Sequence, residues 1–166
     1  PLNELVYSPM AKQVWTKLKK STWIADGQDN APKIIYMFSD PNCPYCNRFW
    51  QQARPWVEGG KVQIRHILVG ILSHDSPTKA AALFNMKDPS KGLQEYEESK
   101  GKNGLKPLDP IPSAIQKKLD DNQVLMDELG SVATPTLLYL DETGRLQQQQ
   151  GMPEPNEINK ILGKLN

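Results

Sequence analysis

The chain has 166 residues, with 20 Lys or Arg set against 19 Asp or Glu, and a formal net charge of +1. A chain of this length suits one domain with a core of its own, and the balanced charge argues against nucleic-acid or membrane-surface binding driven by bulk electrostatics. No apolar run approaches the roughly 20 residues of a membrane span, and two cysteines rule out a multi-disulfide scaffold. The chain begins at Pro1 and shows no signal peptide, so the expectation is either a processed protein or part of a longer one.

Ser8-Pro9 reads as a helix start, a capping hydroxyl followed by proline in the first turn. Met10, Val14, Trp15 and Leu18 then recur at helical spacing opposite Lys12, Lys17, Lys19 and Lys20, which predicts a helix over 9–20 with a solvated lysine face. A turn-rich stretch follows over 26–30. The apolar run 33–38 has the length and bulk of a buried central strand. After it come Ser39-Asp40-Pro41-Asn42, the run Cys43-Pro44-Tyr45-Cys46, and a helix through Phe49 and Trp50 that Pro55 should kink or break and Gly59-Gly60 should stop.

A second strand is predicted over 62–69. From 73 to 130 the pattern is helical with interruptions. Ser76-Pro77 and Asp88-Pro89 each read as a cap plus first-turn proline, and 101–112 is a loop. One or two helices span 113–129, with Leu119, Val124, Leu125 and Leu129 as the inner face, ended by Gly130. Residues 134–140 and 145–150 form a hairpin about the turn Asp141-Glu142-Thr143-Gly144, and a last helix covers 156–165. Strands separated by helices and closed by a hairpin predict an α/β fold with a mixed sheet.

Both cysteines lie in one Cys-x-x-Cys. Positions i and i+3 share a helix face, so the two sulfurs come within bonding reach. Cys43 opens the helix, where free N–H groups and the helix dipole favour a thiolate; Cys46 lies one turn inside as the resolving thiol. Two blander readings compete. A structural staple over so short a loop would add little stability. Half of a zinc site would need four ligands, and only His66 and His74 remain as soft partners, neither at zinc-site spacing. The dithiol beside a strand–helix unit favours redox chemistry. Thr134-Pro135 opens a strand far downstream; a cis bond there would be a deliberate feature, and local pattern leaves it open.

Residues 40–46, then 49–57, Gly60-Lys61-Val62-Gln63, Leu68-Val69-Gly70, Lys87-Asp88-Pro89, 125–130, Thr134-Pro135 and Gly151-Met152-Pro153 closely resemble the periplasmic DsbC/DsbG thiol–disulfide oxidoreductase family. The resemblance runs through nearly the whole chain. It implies a thioredoxin fold with a helical insertion over 73–130, behind a linker helix and lead-in over 1–25. It implies Cys43 as exposed nucleophile, Cys46 as resolving partner, and a cis Pro135. Thr134 would then pack near the sulfurs and pair its backbone with an extended substrate segment; Pro44 and Tyr45 complete the substrate-contacting set. Two departures stand out. Thioredoxin and DsbA carry a buried acid six residues before the first cysteine, where this chain has Met37. The N-terminal dimerisation domain of the family is also missing, so the expectation is a catalytic domain or a naturally short relative. This chain alone is then expected to be monomeric, and a full-length form a homodimer.

The expected activity is reduction or isomerisation of protein disulfides, and reduction of cysteine sulfenic acids, in the periplasm. No cofactor, metal or nucleic acid is expected, and a DsbD-like membrane protein would be the reductant. The rivals are a DsbA-like net oxidase and a chaperone or binding module. The second rival would use Phe49, Trp50 and Trp56 as an apolar surface, although these more readily fit the core. His66 and His74 are expected to be structural or exposed.

Overall fold

The structure, a computed structural model, describes residues 9–165. The Ser8 cap lies outside the described residues. Helix α1 (Pro9–Lys20) leads into strand β1 (Ile24–Asp26) and central strand β2 (Lys33–Ser39). Helices α2 (Pro44–Gln52) and α3 (Arg54–Glu58) follow, then β3 (Val62–Leu68). Three helices, α4 (Ser76–Phe84), α5 (Pro89–Glu98) and α6 (Ser113–Glu128), precede the hairpin of β4 (Thr136–Leu140) and β5 (Leu146–Gln150), and α7 (Pro155–Leu162) closes the chain. Among the described residues the strands form one sheet in the order β1-β3-β2-β4-β5. Strand β2 runs parallel to β3 and antiparallel to β4.

Side chains alternate across a strand, and β2 is apolar on both faces because both are covered. Ile35 and Met37, with Ile64, Leu137 and Tyr139, pack under Phe49, Trp56 and Val57 of α2 and α3 and under Ile158, Ile161 and Leu162 of α7. Tyr36 and Phe38, with Ile67, Leu138 and Leu146, pack on the opposite face against Leu18 of α1 and Leu125 and Met126 of α6. A third cluster joins Ile24 and Leu68 to α4, α5 and α6. Full burial of one such side chain contributes about 1.5–3 kcal/mol, so α2 is anchored to the sheet through the residue of its inner face, Phe49, which is fully buried.

The structure corrects several local expectations. Asp26 belongs to β1, not to a turn; its three-residue strand pairs antiparallel with β3, and so short a strand carries no period of its own. Residues 113–128 form one helix, and Val124 points outward, 53% exposed, while Ile115 and Met126 take inner positions. The cap of α4 is Asp75 rather than Ser76, and the Ser76 hydroxyl donates instead to Asp40 Oδ1 at 2.7 Å. Strand β4 starts after Pro135, whose carbonyl accepts from Gly151 N–H at 2.7 Å. Pro55 does break the helix, at Ala53 between α2 and α3.

Candidate active site

Because β2 and β3 are parallel and β4 runs back against β2, three chain segments meet at one end of the sheet. These are the turn from β2 into α2, the loop leaving β3, and the loop entering β4. Asp40 ties the first two together. It is buried, and its carboxylate accepts from the N–H groups of Asn42, Ile71 and Leu72 at 2.9, 2.7 and 2.9 Å, and from the Ser76 hydroxyl. The Asp40 carbonyl also accepts from Cys43 N–H at 3.0 Å, which sets the entry into α2.

Cys43 is the N-cap of α2, with extended backbone (φ −88°, ψ 111°), and its sulfur accepts from the Cys46 N–H at 3.1 Å. It thus occupies the place of a capping oxygen, facing the unpaired N–H groups of the first turn. Hydrogen bonding from Cys46 outweighs the opposing effect of burial. With further help from Thr134 and from the Cys46 and Tyr45 backbone, it brings Cys43 down to about 6. Cys46 moves the other way: burial, then the hydrogen bond and charge of Cys43, push its thiol well above its ordinary value. The pair therefore separates into an ionised sulfur and a protonated one, the asymmetry that distinguishes an attacking from a resolving thiol.

Cys43 is not broadly exposed as expected. It is only 5% exposed, because the loop before β4 covers one side and its accessible side opens on a cleft of about 450 Å³ between α2 and the segment around α5. Asn42, Asn47, Lys79, Tyr96 and Glu97 help line this cleft with Cys43. On the covered side the Cys43 sulfur lies 3.5 Å from the Thr134 carbonyl oxygen, to which it donates only when protonated, and the Thr134–Pro135 bond is cis. Pro44 and Tyr45 lie outward between the cysteines, and Pro135 is buried. The structure thus brings Cys43, Cys46, Pro44, Tyr45, Thr134 and Pro135 to one place.

The Thr134 hydroxyl is buried and has no hydrogen-bond partner among the described residues, which leaves it free to favour the Cys43 thiolate, and the Thr134 side chain is among the groups that lower Cys43. Thr134→Val is expected to raise the Cys43 pKa from about 6, read by thiolate ultraviolet absorbance against pH. An unmoved titration would mean that the hydroxyl contributes nothing.

His66 is fully buried in β3, its Nε2 3.4 Å from Asp26 Oδ2, while His74 is exposed in the loop after β3. Phe49, Trp50 and Trp56 are buried, so they offer no apolar surface. The exposed apolar side chains near this end of the sheet are Tyr45, Ile71, Leu72 and Val132. Sequence reasoning missed three buried acids, Asp26 of β1 and two nearer the cysteines. Asp40 stood in a turn motif that flags side-chain hydrogen bonding to nearby backbone. Glu97 carries no such signal, since nothing local separates it from Glu95 or Glu98. Its burial is tertiary, and burial pushes it up to about 7, against a hydrogen bond from Asn47 and with the charges of Cys43 and Asp26 adding to the rise.

A family profile described as Thioredoxin-like domain matches residues 23–166. The chain belongs to the thioredoxin-like family. This thioredoxin-like chain is 54% identical over 163 residues to the thiol:disulfide interchange protein DsbG of Pseudomonas aeruginosa, and 45% identical over 158 residues to DsbG of Escherichia coli. The matches cover 98% and 95% of the chain, and 64% of either relative. The chain thus spans less than two thirds of the length of these curated relatives. Among solved structures, the catalytic domain of Proteus mirabilis ScsC superposes with a TM-score of 0.71 over 99% of this chain and 98% of that one, at 16% identity, a likeness of fold. The resemblance to the DsbC/DsbG family and the thioredoxin-like fold expected from it are both borne out.

Proposed function

We propose that this chain is a thiol–disulfide oxidoreductase of DsbG type, acting in the periplasm on protein substrates. The observation that supports this most directly is the Cys43 sulfur capping α2, hydrogen-bonded by Cys46 N–H beside cis Thr134–Pro135. Similarity to two proteins named thiol:disulfide interchange protein DsbG points the same way.

The Cys43 thiolate attacks one sulfur of a substrate disulfide. One substrate thiolate leaves, and a Cys43–substrate mixed disulfide forms. Cys46, once deprotonated, attacks the Cys43 sulfur, which releases the second substrate thiolate and leaves a Cys43–Cys46 disulfide. With a sulfenic acid as substrate the first step expels hydroxide from the oxidised sulfur, and the second step is unchanged. Isomerisation follows when a substrate thiol displaces Cys43 before Cys46 does. A DsbD-like membrane reductant returns the dithiol to its reduced form. Thr134 pairs with an extended substrate segment by strand addition, and Tyr45, Ile71, Leu72 and Val132 meet its apolar side chains. Pro44 and Pro135 shape the same surface.

The equilibrium potential of the Cys43–Cys46 pair against glutathione, together with insulin-disulfide reduction, tests the reading. A relatively oxidising potential with measurable reduction is the expected result, because a stabilised thiolate favours the reduced form at about 1.4 kcal/mol per 30 mV. A strongly negative potential with an ordinary Cys43 titration would overturn it. Net oxidation of reduced substrates without reduction or isomerisation would favour a DsbA-like oxidase instead.

A further inference from the structure

Met37 occupies the strand position six residues before Cys43 and is fully buried, so β2 supplies no acid beneath the dithiol. The carboxylate that does approach comes from another element. Glu97 lies in the last turn of α5, 7% exposed, and lines the same cleft as Cys43. Asn47, the residue after Cys46, donates its side-chain amide to the Glu97 carbonyl at 2.7 Å and to Glu97 Oε1 at 3.4 Å. The first bond holds the end of α5 against α2. The second is long, so the carboxylate is not saturated by that donor.

We propose that Glu97 accepts the Cys46 proton in the resolving step, a carboxylate delivered by the helices between β3 and β4 rather than by the strand ahead of the dithiol. The inference rests on the redox reading above. In the mixed disulfide the Cys46 sulfur still carries its proton, and in the dithiol form Cys46 is only 1% exposed, so bulk water is a poor acceptor for it. Glu97 takes that proton. The Cys46 electron pair forms the bond to Cys43 Sγ, the bond from Cys43 to substrate breaks, and the substrate sulfur departs as a thiolate. The dithiol is oxidised by two electrons and the substrate disulfide reduced by two. Glu97 then loses its proton to solvent through the cleft.

The charged and titratable groups around Glu97 are compatible with this duty. Within electrostatic reach of it lie Cys43 at the N-cap of α2, Cys46 of α2, Arg54 of α3 and Asp26 of β1, which pairs in turn with His66 of β3. Lys79 of α4, Arg48 of α2 and Tyr96 and Lys100 around the end of α5 share its cleft. Burial raises Glu97 to about 7, where a carboxylate can both accept and lose a proton near neutral pH. The Cys43 charge adds to that rise in the reduced protein and vanishes in the mixed disulfide.

The test is single-turnover reaction of the reduced protein with a peptide disulfide whose two halves are distinguishable. Release of the first half reports attack by Cys43, and release of the second reports the Cys46 step. Glu97→Gln should slow second release about 100-fold at neutral pH with little change in the first, and should remove an inflection near pH 7 from its pH profile. Glu97→Asp should retain that inflection. Should Glu97→Gln not fold, carbon-13 NMR titration of the wild-type Glu97 carboxyl decides. It should titrate near 7 in the reduced protein and lower once Cys43 is S-methylated. Wild-type second release with an unchanged pH profile in Glu97→Gln, or a carboxyl insensitive to Cys43 methylation, overturns the proposal and leaves the redox reading standing. A wild-type protein that releases neither half overturns both.

Discussion

Cys43→Ser is expected to abolish insulin-disulfide reduction, with a loss of at least about 10³-fold, whereas Cys46→Ser should accumulate a covalent mixed disulfide with substrate. The two cysteines are close in sequence but differ in environment. Cys43 is favoured as a thiolate by the Cys46 N–H and the open turn of α2, and its sulfur has a side facing the cleft. A serine hydroxyl there is not appreciably ionised at neutral pH and forms no disulfide. Cys46 is buried and held protonated by that burial and by Cys43, so its removal spares the first attack and blocks release. Non-reducing electrophoresis after reaction with a peptide disulfide separates the cases. A Cys43→Ser protein that still reduces insulin, or a Cys46→Ser protein that forms no trapped species, would refute the assignment of roles.

Removal of the Asp26 carboxylate should have the largest effect on stability. Asp26 lies on the face of the sheet covered by α2 and α3 and is nearly buried. Its carboxylate accepts from Arg54 Nη1 at 3.1 Å, pairs also with Arg54 Nη2, and faces His66 Nε2. The Arg54 guanidinium stacks 3.8 Å over the Trp50 ring of the active-site helix. The cluster thus braces α2 and α3 against β1 and β3. Asp26→Ala strands a largely desolvated guanidinium and should cost about 3–5 kcal/mol, seen as a lower urea midpoint.

The pH dependence has a defined sign. Burial raises the Asp26 pKa, but hydrogen bonds from His66 and Arg54, and then their charges, outweigh burial and leave it lowered. A carboxylate whose folded pKa is depressed stabilises the fold fully above its unfolded value of about 3.9, and that contribution is lost as pH falls through the folded value. Urea midpoints of wild type should therefore drop below about pH 4 more steeply than those of Asp26→Asn. Parallel curves for the two proteins would show that the cluster is not a determinant of acid stability.

Local chemistry made much of this molecule legible from the chain. A cysteine pair at i and i+3 opening a helix after a buried strand needs no distant contact to be recognised, and neither does the β4–β5 hairpin or the helix break at Pro55. Asp88 also caps α5 as its sequence suggests, accepting from Lys91 N–H at 3.2 Å. Family resemblance carried the reading further, to cis Thr134–Pro135 beside the sulfur. Where local pattern failed, longer-range contacts had decided. Val124 satisfies the helical period roughly, yet the docking angle of α6 turns Met126 inward in its stead.

What the sequence determined by itself is therefore the cysteine pair at the start of its helix and the order of the elements, because each depends on spacing, capping or turn residues within a few positions, whereas the segment opposite the pair was reached through the family resemblance. The tertiary structure alone decided which acids surround that pair. Asp26 pairs with Arg54 and His66 over 28 and 40 positions, Asp40 gathers donors from the loop after β3, and Glu97 meets Asn47 across 50 residues. A carboxylate is equally at home in water on any helix face. Whether it becomes a buried, pKa-shifted group depends on what packs over it, and that is a property of the assembled sheet and its helices.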